Sequence, residues 1–249
     1  MVQWYNKLMF DWSSSEKIVL PIAFVINVLI ATLICLLTKN KSKKIKRIPL
    51  TIITILVIIL EIAKQIYFIF TKYNVYALPL HFCSLFIYFY IIANFIKKGE
   101  HFGDVMTLSY SIVVIIAIIC NPSNVIGESC DNIFQSFPVF HSFFYHFLMI
   151  LYFSILLASN LIETSKKDFL YICFGIIGYA IIAVPLAYIL NANFCNILYS
   201  NYSFLESIRT SCGQFFYTIA ILFAGMLACI ASYLPIFIIN QRRFRKENK

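Results

Sequence analysis

The stretch 77-ALPLHFCSLF-86 sets a proline, a histidine and a cysteine at alternate positions, Pro79, His81 and Cys83, inside an apolar run. A second run, 137-FPVFHSFFYHF-147, carries His141 and His146. A thiol becomes a nucleophile when a neighbour takes its proton, and imidazole is a common acceptor. Cys83 with His146, or in second place with His141, is therefore the pairing with chemical content. His81 is a poorer direct partner, because two residues along a helix turn the side chains about 200° apart. It stays among the catalytic candidates because it belongs to the same motif. His141 and His146 are five residues apart and do not share a helical face, so at most one is expected to aim at the thiol. Glu61, Lys64 and Gln65 have spacings of three and four, which place them on one face of a helix. Their plain reading is an ion pair tying one helix to its neighbours; their functional reading is a polar clamp on a substrate. Asn193 and Asn196, in 191-NANFCN-196, could donate to an oxyanion.

The elements that must position these residues are membrane helices. Of 249 residues, 61% are hydrophobic and 12% charged, and the mean hydropathy is +0.84. A soluble domain of this length cannot hide so much apolar surface. The chain therefore reads as all-α, a single polytopic membrane domain over 1–249, with an interfacial arm at 1–16 and a basic tail at 240–249. No signal-peptide cleavage pattern is seen, so the first apolar run is expected to stay in the protein. Seven apolar segments, near 18–38, 50–71, 77–96, 105–120, 137–159, 169–190 and 213–239, are long enough or nearly long enough to cross. The fourth is the shortest and is expected to be thin or partly re-entrant.

Basic residues set the direction. The formal net charge is +9, but the cations sit in short loops, a topology signal rather than a nucleic-acid footprint. The first loop, 39-KNKSKKIKR-47, the pairs Lys97–Lys98 and Lys166–Lys167, and the tail 242-RRFRKENK-249 lie on one side. That side is cytoplasmic by the positive-inside rule, which places the N-terminus outside. The loop around Glu128 and Asp131, without Lys or Arg, agrees. Trp4, Leu8 and Trp12 at helical spacing fit a short helix on the outer leaflet, though a frayed end with interfacial tryptophans fits equally.

With this topology, depths can be compared. His81 and Cys83 fall about 6–9 Å below the outer boundary. Pro79 fits the first turn of helix 3, where its missing N–H is harmless. The free N–H groups of that turn favour a thiolate, and desolvation by lipid opposes it. His141 and His146 lie at a similar depth, and Glu61 lies lower with Lys64 and Gln65 above it. An ionisable residue inside a membrane is a functional candidate by default. A lone histidine in an apolar helix is more often structural; three in one slab are harder to dismiss. His101 sits in an inner loop and reads as surface. Eight cysteines occur without CxxC pairs. Cys35, Cys173 and Cys229 read as small hydrophobes, and a disulfide among Cys130, Cys195 and Cys212 is open.

The chain resembles the YwaF-like bacterial membrane protein family, grouped with the vertebrate transmembrane protein 164. The resemblance rests on E-x-x-K-Q (Glu61, Lys64, Gln65), LPLHFCSL (Leu78 to Leu85), the Pro122 region, FPxFHxFFxH (Phe137 to His146) and the Asn-bearing loop before helix 7. The vertebrate relative resembles an acyltransferase that moves a fatty acyl chain between phospholipids with a cysteine and a histidine. The resemblance thus implies a lipid acyltransferase at the outer leaflet. Cys83 would take the acyl group and His146 or His141 would activate it. Glu61, Lys64 and Gln65 would hold a phosphate or ester head group, and Asn193 or Asn196 would face the oxyanion. No cofactor is expected, and the partners are a phospholipid or other acyl lipid and the bilayer, not nucleic acid. Two alternatives stand beside it. One is a hydrolase with zinc held by His81, His141 and His146, without an HExxH motif to support it. The other is a small-solute carrier, weakened by the off-centre polar slab and the lack of an inverted repeat. The Ile-, Lys- and Asn-rich wording points to an AT-rich bacterial genome, hence a plasma membrane.

Overall fold

The computed structural model describes residues 12–126, 130, 133–200 and 203–247. Trp4, Leu8, Glu128 and Asp131 lie outside the described residues. Nine α-helices are described: α1 (Glu16–Thr38), α2 (Lys43–Phe70), α3 (Phe86–Phe95), α4 (Glu100–Cys120), α5 (Pro122–Ile126), α6 (Phe137–Ala158), α7 (Asp168–Ile189), α8 (Ser203–Cys212) and α9 (Gln214–Glu247). Among the described residues there is no strand. Among the described residues, six helices are long and apolar enough to cross a membrane: α1, α2, α4, α6, α7 and α9.

Burial sorts them. Over their most apolar windows, α4 is 61% and α6 is 56% buried, against 11–22% for α1, α2, α7 and α9. The first two form the core and the other four an outer ring whose apolar side chains face lipid. α4 packs against α3, α5, α6, α7 and α9. Its backbone comes close to that of α3: a Cβ on Gly103 would fall 2.5 Å from the Phe89 carbonyl oxygen. Only a glycine lets the two backbones meet there, and Lys98 in the intervening turn takes a left-handed φ of 75°. Deeper in the core the Tyr90 and Tyr152 rings stack at 4.0 Å.

Helix starts follow local chemistry. Glu16 accepts from the Ser13 N–H at 2.7 Å, and its own N–H donates to Ser13 Oγ at 3.2 Å. This is the reciprocal capping box of S-x-x-E. At the start of α7, Asp168 Oδ2 accepts from the Ser165 N–H and from the Tyr233 hydroxyl, while Oδ1 meets His101 Nε2 at 2.7 Å. His101, expected on the surface, is half-exposed and belongs to this link between α4, α7 and α9.

Two expectations about length change places. α4 runs 21 residues, not the short fourth span anticipated. The short apolar helix is the third, Cys83–Phe95 with its leading 3₁₀ turn. At 1.5 Å per residue it covers about 20 Å of a core about 30 Å thick. The basic run 39–47 is also not one loop, since α2 begins at Lys43. Arg47 is no surface cation: its guanidinium grips Asp104 with two bonds of 2.7 and 3.0 Å and donates to the Ala93 carbonyl. Asp104 is 1% exposed.

Candidate functional site

The missing length of the third span is an irregular stretch, and it builds the site. Val75–Ala77 and Cys83–Leu85 are 3₁₀ turns, and 78–82 are turns and bends. Pro79, His81 and Cys83 are therefore not in the first turn of an α-helix, as their spacing had implied. Pro79 ends one turn rather than opening a helix. Non-helical backbone at membrane depth survives only where other protein groups or a polar cavity satisfy it. Three helices supply the donors here. Gln65 Nε2 from α2 donates to the Ala77 carbonyl at 2.8 Å. The Tyr179 hydroxyl from α7 reaches the Leu80 carbonyl at 2.9 Å. The Tyr145 hydroxyl from α6 lies 3.3 and 3.4 Å from the Cys83 and Ser84 carbonyls.

Behind this stretch lies a cavity of about 590 Å³. Its wall includes Glu61, Lys64, His81, Cys83, His141, His146, Asn193 and Asn196. The sequence-predicted residues thus meet, with Gln65 standing just behind them. Both α6 histidines border the cavity. α6 presents them on either side of Tyr145, whose ring stacks on His141 at 5.8 Å and meets His146 edge-on at 5.9 Å.

The individual groups differ in how committed they are. Lys64 Nζ is 2.8 Å from Glu61 Oε2, and Gln65 Nε2 is 2.7 Å from Glu61 Oε1. The ion pair forms at the cavity wall but within α2 itself, so it does not tie that helix to a neighbour. Both amide protons of Gln65 are used, on Glu61 and on the Ala77 carbonyl, and the second of these is the link out of α2. Asn193 is spent on its own loop: Oδ1 accepts from the Leu198 and Tyr199 N–H groups and Nδ2 donates to the Tyr199 carbonyl. Asn196 is exposed, and its backbone φ is +60°. His81 stacks against Tyr76 at 5.8 Å.

His146 is the best-defined imidazole. Its Nδ1 lies 2.7 Å from the Ser142 carbonyl. A carbonyl only accepts, so Nδ1 carries the proton and Nε2 of the neutral ring presents its lone pair. His146 is 5% exposed, and Nε2 is buried with no partner among the described residues; the same is true of His141 Nε2. Such an atom is costly unless something visits it.

Sequence reasoning missed Tyr145, Tyr179 and the second thiol in the wall, Cys195. Cys195 has a φ of +51° and its Sγ lies 2.9 Å from the Tyr179 hydroxyl. Neither Cys195 nor Cys212 is in a disulfide. No group of three His, Cys, Asp or Glu among the described residues could hold a metal ion, so His81, His141 and His146 do not form the zinc set considered from the sequence. Tyr145→Phe is expected to cost about 1 kcal/mol and to loosen the turn at Cys83. The check is a severalfold faster reaction of Cys83 with a maleimide, alongside a small fall in Tm.

Membrane-length helices enclosing a polar cavity with a thiol and imidazoles in its wall define a multi-pass membrane protein with a candidate site inside the bundle. The chain belongs to the TMEM164 family, whose model matches residues 9–240. No curated protein and no solved structure matches it.

Proposed function

We propose that this protein is a lipid acyltransferase working through Cys83 and His146, with the cavity opening toward the outer leaflet. The observation that carries the reading is the shared cavity wall of Cys83, His146, Lys64 and Asn196, drawn from separate elements of the chain. His146 Nε2 takes the proton of the Cys83 thiol. The thiolate attacks the ester carbonyl carbon of a donor lipid, the C–O bond breaks, and the leaving alkoxide recovers the proton from the imidazolium. In the second half the hydroxyl of an acceptor lysolipid gives its proton to Nε2 and attacks the thioester. The C–S bond breaks and the thiolate is reprotonated. Splitting the transfer in two lowers each barrier. Lys64 faces the phosphate of the head group, and the Asn196 amide faces the developing oxyanion. His141 stands second as base, and His81 lines the head-group side.

The test is intact-mass spectrometry of purified protein after exposure to a phospholipid with an isotope-labelled acyl chain. The expected result is one acyl adduct that maps to Cys83 and is released by neutral hydroxylamine. Robust acyl exchange with no adduct on Cys83 overturns the assignment.

A further inference from the structure

A second recess adjoins the cavity. It is an apolar groove of about 320 Å³ between α1, α4, α5 and α6, with Leu20, Phe24, Ile118, Phe143 and Phe147 in its walls. His146 borders both the groove and the polar cavity. Trp12 stands at one end, its indole N–H donating at 2.8 Å to the Ile119 carbonyl in the last turn of α4. The remaining polar side chain in the wall, Asn27, is already committed: Nδ2 donates to the Phe147 carbonyl at 2.9 Å and Oδ1 faces Ser154 Oγ.

We infer that this groove seats one fatty acyl chain of a bilayer lipid, with the ester end of the chain at His146. The inference deepens the reading above and rests on it for the reaction, though not for the binding. Water is a poor occupant, because a stable buried water needs two to four polar partners and the groove offers little beyond one imidazole. A peptide helix, about 10 Å across, does not fit so small a recess. A hydrocarbon chain fits, and its source is at hand. α1 turns Phe24, Val25 and Ile26 outward, and just 11% of its apolar window is buried. The groove therefore adjoins lipid. A chain lying in it presents its carbonyl at the boundary between apolar wall and polar cavity, which His146 occupies.

The experiment uses the full chain in nanodiscs containing a phosphatidylcholine with a mid-chain diazirine, illuminated and mapped by peptide mass spectrometry. Label is expected to concentrate on peptides carrying Phe24, Phe143 and Phe147. Ala23→Trp, which fills the groove, should reduce that label severalfold. Val25→Trp, on the lipid-facing side at 59% exposure, should not. Label no denser in the groove than at Ile181 and Ile182 on the lipid face of α7 overturns the inference, as does label indifferent to Ala23→Trp. If Ala23→Trp does not fold, the distribution in the unmodified protein decides alone. Cys83→Ala protein should still be labelled in the groove. Loss of the acyl-transfer reading thus leaves this result standing, and acyl transfer without groove label sinks the groove only.

Discussion

Cys83→Ala is expected to abolish thioester formation and reduce acyl exchange to the uncatalysed background, while Tm stays near that of the unmodified protein. The cysteine is half-buried in the cavity wall and packs against the edge of the core, so under the proposed mechanism its replacement by alanine removes the acyl-accepting thiol at a small packing cost. His146→Ala should slow exchange by about 10²–10⁴-fold, the span usual for a general base. His141→Ala should do less if the oriented Nε2 of His146 is the base. Cys195 supplies the discriminating comparison, since it borders the same cavity. The Tyr179 hydroxyl has one proton and touches both the Leu80 carbonyl and Cys195 Sγ. Cys195 Sγ accepts from that hydroxyl and points its own proton at the Leu80 carbonyl, 3.6 Å away, so it is held in the wall as a thiol. Cys195→Ala should therefore still form the adduct on Cys83. Exchange abolished in Cys195→Ala but retained in Cys83→Ala would transfer the nucleophile's role to Cys195.

The second large effect lies at the opposite end of the bundle. Asp104→Ala leaves the Arg47 guanidinium, 11% exposed, with only one carboxylate contact, the longer one to Glu100 at 3.4 Å. Stranding one member of a buried ion pair costs about 3–5 kcal/mol; with Glu100 remaining, the loss is expected at the lower end, about 3 kcal/mol, which for a chain of this length lowers Tm by about 10 °C. The same pair replaced together, Arg47→Met with Asp104→Leu, should recover most of that loss, because an apolar pair of similar volume carries no desolvation penalty. Thermal unfolding in one detergent reads both variants. An unaltered Tm in Asp104→Ala would show that the pair does not hold α2 to α4.

Much of the site was legible because membrane helices make depth a linear function of residue number. That brought Cys83, His141 and His146 to a similar depth with Glu61 below them, and the i, i+3, i+4 rule put the α2 triplet on one face. The break at 78–82 was not legible. Pro79 fits the start of a helix as well as it fits a turn, and the deciding groups, Gln65, Tyr145 and Tyr179, are remote in sequence. Arg47 was hidden for a different reason. At the end of a lysine run it reads as one more topology charge, and only its partner Asp104, 57 residues away, distinguishes it. Asn193 looked available because sequence does not reveal that its amide already closes the turn to Tyr199.

The irregular stretch before α3 also bears on how the chain is made. Its Leu80 carbonyl is served by Tyr179, a residue synthesised about a hundred positions later, while its Cys83 and Ser84 carbonyls, already met by the Phe86 N–H, gain a second donor in Tyr145. A nascent chain released after its fourth helix holds this segment in the membrane with the Leu80 carbonyl unserved by Tyr179, where bare peptide groups are strongly disfavoured. The surroundings of Cys83 are therefore completed late in biogenesis, by the arrival of α6 and then α7. A truncated product carries the cysteine motif without the framework that gives it shape.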